Sequence, residues 1–243
     1  MRVKQLLLVD AVRWSADYMV NHPLREVSAW FSKTLPGNDA CVLNVLNIED
    51  NLDQALEGDL HGVIISGSPR DAWDHEESTI NLLLFLQSCL THRIPVLGVC
   101  FGHQILARFL KGEVKHHPEG LQLMNSRIEL TTAGRKSPLF KGLKTQFNAI
   151  SGHADYVEEI PPNCQWLARS KHTKVQAFQF QDLFFGVQFH PEFTGEIIKY
   201  LWTPRVEIWR EKVPFNLRSR IQDLKDPDQT PLIIQNFVNH YAR

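Results

Sequence analysis

The chain lacks the features that mark secreted scaffolds, membrane spans and polyanion binders. It holds four cysteines in 243 residues, at positions 41, 89, 100 and 164, with no CxxC pair. That excludes a disulfide framework and points to free thiols in a reducing compartment. Net charge is nearly absent: 26 Lys and Arg against 27 Asp and Glu leave a formal charge of −1. A nucleic-acid or anionic-membrane surface needs a stronger field than that. Long apolar runs are missing too. The stretch from Leu82 to Leu90 is broken by Gln87 and Ser88 and falls well short of a membrane span. Met1 to Lys4 lead directly into Leu6-Leu7-Leu8-Val9-Asp10, too short an approach for a signal peptide and patterned as a buried strand. The expectation is a cytoplasmic protein that binds neither nucleic acid nor membrane.

What the chain does have is alternation. Short apolar runs predict strands at Gln5–Asp10, Cys41–Leu46, Gly62–Ser66 and Pro95–Val99, and amphipathic stretches predict helices at His22–Thr34, Glu76–His92 and Gly102–Leu110. This is the texture of an α/β domain around a mostly parallel sheet. From about Arg127 the β signals become denser: Ser126–Leu130, Gln146–Ile150, Gln165–Ser170, Val175–Phe180 and Phe184–Phe189. Tight turns between them predict antiparallel strands added to the parallel core. After Pro191 the chain turns helical and ends in the amphipathic Pro231–Tyr241. One domain is expected, residues 1–193 forming its body and 194–243 a C-terminal helical extension.

The sharpest chemical signal is Gly98-Val99-Cys100-Phe101-Gly102-His103-Gln104, where a buried strand passes directly into a helix. This is the nucleophile-elbow pattern with cysteine at its centre. A sharp strand-to-helix turn strains the backbone of the nucleophile, and side chains at Gly98 or Gly102 would clash across it. The helix that follows aims its N-terminal N–H groups at the thiol, favouring the thiolate and offering a donor to a developing oxyanion. A nucleophilic thiol also needs a histidine, and that histidine an orienting partner. Phe189-His190-Pro191-Glu192 supplies both at the end of an apolar strand. Pro191 holds His190 extended, so Glu192, two residues on, projects to the same side and can bond the imidazole. Taken singly, each segment also fits a structural role: Cys100 as a small buried strand-closing residue, His190 as a surface strand-end histidine.

Together the two segments resemble the class I glutamine amidotransferases, whose signatures are a G-x-C-x-G-x-Q elbow followed by F-H-P-E. Two further stretches fit. Ser66-Gly67-Ser68-Pro69 resembles the family's S-G-G-P loop, with Ser68 in place of the second glycine. His153-Ala154-Asp155-Tyr156-Val157 resembles its H-x-D-x-V segment, although the preceding residues read Ser151-Gly152 where the synthase form is usually S-H-G-D. The resemblance covers about residues 5–193 and is nearest to the glutaminase domain of GMP synthase. It implies an open, doubly wound, flavodoxin-like sheet with flanking helices.

The chemistry implied is hydrolysis of the γ-amide of glutamine to glutamate and ammonia through a Cys100 γ-glutamyl thioester. His190 and Glu192 complete the catalytic set, and the N–H groups of Gly67 and Phe101 form the oxyanion hole. Gln104, Ser68, His153 and Asp155 would meet the substrate. No metal or organic cofactor is required. Ammonia must go somewhere, yet the fifty residues after the matching region are too few for a synthase domain. No G-x-x-x-x-G-K-[ST] or S-G-G-x-D-S loop occurs. Either a separate synthase partner takes the ammonia, or the chain is a stand-alone hydrolase of γ-glutamyl compounds. A non-catalytic regulatory module on the same fold is a third reading, which the presence of Cys100, His190 and Glu192 disfavours.

Other candidates are set aside. His116-His117 reads as a solvated loop before Pro118 and not as a metal site. His75-Glu76-Glu77 begins like H-E-x-x-H but lacks the second histidine and reads as a helix N-terminus. Cys41, Cys89 and Cys164 read as structural thiols. The tail's Trp202, Trp209 and Phe215 lie among both basic and acidic residues. They suit a helical cap that borders the pocket and restricts access to it.

Overall fold

The computed structural model describes residues 3–14, 22–37, 40–227 and 229–243. In chain order these form β1 (Lys4–Asp10), α1 (Val27–Ser32), β2 (Cys41–Asn47), β3 (Leu60–Ile65), α2 (Glu77–His92), β4 (Val96–Val99) and α3 (Phe101–Phe109). Then come β5 (Val114–His116), β6 (Gln122–Leu130), α4 (Thr132–Lys136), β7 (Gln146–His153), β8 (Asp155–Val157), β9 (Gln165–Arg169), β10 (Ala177–Phe180) and β11 (Phe184–Val187). Helices α5 (Gly195–Trp202), α6 (Val206–Trp209), α7 (Leu217–Asp223) and α8 (Pro231–His240) follow.

Among the described residues the main sheet has nine strands in the order β2-β1-β3-β4-β11-β10-β9-β6-β7. The first five run parallel and the pairings from β11 through β10, β9 and β6 to β7 are antiparallel. The antiparallel strands expected after Arg127 therefore continue the parallel sheet. The order 2-1-3-4 followed by a fifth parallel strand is doubly wound, with its switch point beside β1. Side-chain alternation along β1 shows how both faces are covered. Leu6 and Leu8 join a core that includes Trp30 and Phe31 of α1 and Ile233, Ile234 and Phe237 of α8. Leu7 and Val9 join the opposite core with Leu82, Phe85 and Leu86 of α2 and Ile105 and Leu106 of α3. Helix α2 forms because Thr79, Leu82, Phe85, Leu86 and Cys89 fall on one helical face. It ends at Arg93, whose left-handed φ of 55° turns the chain toward Pro95.

Three expectations change. The stretch His22–Thr34 is a short 3-10 turn at Pro23–Arg25 and the separate helix α1, because Glu26 is extended (φ −76°, ψ 107°) and interrupts the helix. Strands β6 and β7 are longer than the apolar pattern indicates. The extra residues include buried polar ones, among them Ser151, whose hydroxyl bonds that of Ser126 at 2.7 Å. His116 is not in a loop: it ends β5, which pairs with β8. His117 beside it is buried, its Nε2 bonded to the His172 carbonyl at 2.8 Å.

At the turn joining β6 to α4, the Thr131 hydroxyl accepts from Gly134 N–H at 3.0 Å. There a Cβ on Gly134 would lie 1.9 Å from the Leu167 carbonyl oxygen of β9. A Gly134→Ala variant should therefore lose about 2–3 kcal/mol despite alanine's better helix propensity. For a chain of this size that lowers the melting temperature by about 5–10 °C. Gly37→Ala, with nothing within 4 Å of the new Cβ, should leave it within about 2 °C. Calorimetry of the two variants checks the contrast.

Candidate active site

In a doubly wound sheet, ligands sit beyond the carboxyl ends of the parallel strands. Val12 after β1, Gly67 after β3, Cys100 after β4 and His190 after β11 all line one cavity of about 300 Å³ there. Cys100 caps the N-terminus of α3 at φ 52°, ψ −100°, a conformation that L residues resist. Its N–H donates to the Val187 carbonyl at 2.9 Å and its carbonyl accepts from Gln104 N–H at 3.0 Å. The elbow closes only around glycines. A Cβ on Gly98 would lie 2.4 Å from the Gly102 carbonyl, and one on Gly102 2.6 Å from the Ile65 carbonyl oxygen.

His190 leaves β11 but keeps a sheet bond, its N–H donating to the Ile150 carbonyl at 2.9 Å. Its Nδ1–H donates to Glu192 Oε1 at 2.7 Å, with both side chains buried. The other ring nitrogen is left for Cys100, whose Cβ and the imidazole both lie against Gly67. The ring stacks on Phe193 at 3.7 Å with an interplanar angle of 2°. Burial alone would depress its pKa, but the negative charges of Glu192 and Cys100 override that and raise it to about 10.

Gly67 lies against both groups: a Cβ there would sit 2.6 Å from His190 Cε1 and 3.5 Å from Cys100 Cβ. The loop that carries it is tied down from both sides. Ser66 Oγ accepts from Ala11 N–H at 3.0 Å, and Ser68 Oγ–H donates to the Ala11 carbonyl at 2.7 Å. Arg70, itself buried, bonds Glu49 at 2.7 Å and Glu76 at 2.5 Å. Ser68 lines the cavity but its hydroxyl is engaged by the backbone. The Phe101 side chain is wholly buried in the core, so only the backbone of that residue faces the elbow.

Gln104 lines the cavity from the first turn of α3, its amide donating to the Asp155 carbonyl at 2.8 Å and to Gln188 Oε1 at 3.3 Å. His153 is buried, and its Nδ1–H also donates to the Asp155 carbonyl, at 2.9 Å. Its Nε2 has no partner among the described residues. Burial and the neighbouring His190 lower its pKa to about 3, so it is neutral and presents a lone pair. The Asp155 carboxyl accepts from His116 Nδ1 at 2.9 Å. Burial pushes that carboxyl up to about 6; His116 opposes the shift and nearby Asp71 adds to it. Seven of the nine candidates thus line one cavity, while Glu192 stands behind His190 and Phe101 is buried behind the elbow. The structure adds His116 and Asp71 around Asp155, and Trp30, Phe193, Leu201, Trp202 and Trp209 as apolar wall. His116 carried no motif because β5 and β8 are three residues each, and Asp71 lies in the irregular segment after β3. The tail does border the cavity. Among the described residues no group of three metal-ligating side chains occurs, and no helix is long and apolar enough to cross a membrane. The remaining cysteines, Cys41, Cys89 and Cys164, form no disulfide, and burial raises the pKa of each.

Comparison with known proteins supplies the family. The model of the class I glutamine amidotransferases matches residues 37–199. A glutamine-hydrolysing GMP synthase subunit of Pyrococcus abyssi is 36% identical over 132 residues, which are 54% of this chain and 65% of that protein. The chain thus spans just under two thirds of that relative's length. The corresponding GMP synthase subunit of Methanococcus vannielii is 34% identical over 162 residues, covering 65% of this chain and 78% of that protein. Among solved structures, a glutamine amidotransferase of Thermotoga maritima superposes with a TM-score of 0.75 at 17% identity, with full coverage of both chains. One from Methylobacillus flagellatus gives 0.68 at 19% identity, over 99% of this chain and 96% of the other. At those identities the structures show a shared fold.

The His190 shift sets a pH dependence. A histidine whose pKa rises on folding contributes stability that is complete below its unfolded value, near 6.5, and is lost as pH rises through about 10. NMR titration of the His190 ring should find it protonated well above pH 7, and Glu192→Gln should move its midpoint down. A midpoint unmoved by that variant would contradict the assignment to Glu192.

Proposed function

The chain belongs to the class I glutamine amidotransferase family, and on that premise we propose that it hydrolyses γ-glutamyl amides at Cys100, with glutamine the simplest substrate. One observation carries the reading. A cysteine in a left-handed elbow at a helix N-terminus faces a buried His190–Glu192 pair just beyond the end of the adjacent parallel strand.

In this mechanism Cys100 Sγ, its proton already held on the protonated His190, attacks the γ-carbonyl carbon. The oxyanion is held by the N–H groups of Gly67 and Phe101, the latter in the first turn of α3 where unbonded N–H groups point at incoming negative charge. His190 then protonates the departing nitrogen, which leaves as ammonia from glutamine or as an amine from a substituted amide. Water, deprotonated by His190, cleaves the thioester and releases glutamate. Glu192 fixes the imidazole tautomer and stabilises the imidazolium at each transfer. The substrate's ammonium end fits the Asp155 carboxyl, and the neutral His153 Nε2 accepts an N–H. Gln104 holds the Asp155 backbone in place and acts as a positioning residue.

The relatives that are subunits of a glutamine-hydrolysing GMP synthase support a synthase partner as acceptor of the ammonia. The apolar wall contributed by Trp30, Phe193, Leu201, Trp202 and Trp209 supports the other reading, a hydrolase that releases a larger amine.

Glutamate release from γ-glutamyl substrates should vanish in Cys100→Ala, and the wild type should carry a γ-glutamyl adduct on Cys100 detectable by mass. Gly67→Ala should lower kcat by about 10²-fold or more, because the new methyl displaces both the oxyanion donor and the imidazole. Adduct-free, Cys100-independent turnover would overturn the mechanism.

A further inference from the structure

The groups around Cys100 divide by chemistry. On one side stand Gln104, His116, His153 and Asp155, which suit the amino-acid end of a γ-glutamyl group. The other side is largely aromatic and apolar, with Arg205 the one cation the tail adds to it, and begins at His190 itself. Its ring stacks on Phe193, and Phe193 packs edge-on against Trp30 at 5.8 Å and 75°. Beyond them the tail closes the cavity with Leu201, Trp202 and Trp209, the two indoles meeting at 5.8 Å and 70°. The Arg205 guanidinium lies over Trp202 at 5.8 Å and bonds the Leu201 carbonyl, which fixes this wall. Both tryptophans of the tail are half-buried and line the cavity.

The position of this wall decides what it meets. The nitrogen of the scissile amide must lie beside the imidazole that protonates it, and its substituent must continue past that imidazole onto Phe193. Ammonia has no substituent and leaves the wall unused. The cavity, about 300 Å³, reaches the lower bound for sites that enclose drug-sized ligands, which are larger than glutamine. Flat indole and phenyl faces gain most from an aromatic partner, stacked or edge-on.

Resting on the Cys100 thioester reading above, we propose that the preferred substrates are γ-glutamyl amides whose nitrogen carries an aromatic group, such as γ-glutamyl dipeptides ending in an aromatic residue. The reaction is a plain acyl transfer to water. The Sγ–carbonyl bond forms and the C–N bond breaks, the aromatic amine leaving with the proton held on His190. Water then replaces the thiol to give glutamate.

The test compares kcat/KM for γ-glutamylbenzylamide, γ-glutamylphenylalanine, γ-glutamylmethylamide and glutamine. Wild type, Cys100→Ala, Trp202→Ala, Trp209→Ala and Trp202→Phe are measured, each checked for folding by its melting temperature. The aromatic amides should exceed the methylamide and glutamine at least tenfold. Trp202→Ala and Trp209→Ala should each cut that ratio at least fivefold, and Trp202→Phe should restore most of it. Cys100-dependent turnover that favours glutamine or the methylamide would overturn the subsite and leave the thioester mechanism standing. An aromatic preference indifferent to both tryptophans would overturn the assignment to this wall. Absence of both turnover and Cys100 adduct on every substrate would overturn the thioester reading and the proposal with it.

Discussion

The site depends on a backbone conformation that an L residue resists. Holding Cys100 at φ 52° costs on the order of 1–3 kcal/mol and persists only where the surroundings leave no alternative. The surroundings here are the two cores and the elbow glycines. Gly98, Gly102 and the Ile65 carbonyl approach so closely that neither glycine has room for a Cβ. Val99 and Cys100 belong to one core and Phe101 to the other, so the chain crosses the sheet plane at the elbow and leaves Cys100 at the rim of the first core. Strand β11 is the direct neighbour of β4, in register from Phe184–Val96 to Val187–Val99. Sheet hydrogen bonding alone therefore brings the chain of His190 beside the thiol.

Electrostatics then separates histidines of the same degree of burial. His103, His153 and His190 are all enclosed, and burial disfavours the charged form of each. His103 and His153 have only backbone carbonyls to offset it, and their pKa values fall to about 3. His190 has a carboxylate at 2.7 Å and moves the other way. The buried Glu192 carboxylate, together with Cys100, thus distinguishes a proton carrier from two neutral imidazoles. That role accounts for an acid as costly to bury as Glu192.

The legible parts of the fold were those where one physical pattern dominates. The parallel strands β1, β3 and β4 are continuous apolar runs, and α2 is an unbroken helical face. The elbow and Phe189–Glu192 were legible because their chemistry demands fixed residue types at fixed spacing. The hidden parts mix polarity with burial. β6 and β7 carry Gln122, Ser126, Ser151 and His153 inside, bonded to one another or to backbone, so an apolar pattern stops short of their true ends. β5 and β8 are too short to have a pattern at all, yet they set His116 against Asp155. Glu26 breaks the predicted first helix through backbone angles, which hydrophobic spacing does not encode.

Chemistry and selection are built from different parts of the chain. The groups that would break the amide sit at the carboxyl ends of the central strands, where any shift disturbs two cores. The wall that would choose the amide's substituent comes from α1, from Phe193 just after the His190–Glu192 pair, and from helices α5 and α6, all outside the sheet. Those helices are nonetheless anchored. Thr194 caps α5 by accepting from Ile197 N–H at 3.3 Å. The segment that follows is tied to β6 through Arg220 to the Leu123 carbonyl at 3.2 Å, and through Asn125, whose side chain exchanges two bonds with the backbone of Lys225. A wall fastened at its ends and built of side chains can be recast one residue at a time without moving Cys100 or His190. A single elbow can therefore serve amides of different size, with the tail setting which of them fits beside the imidazole.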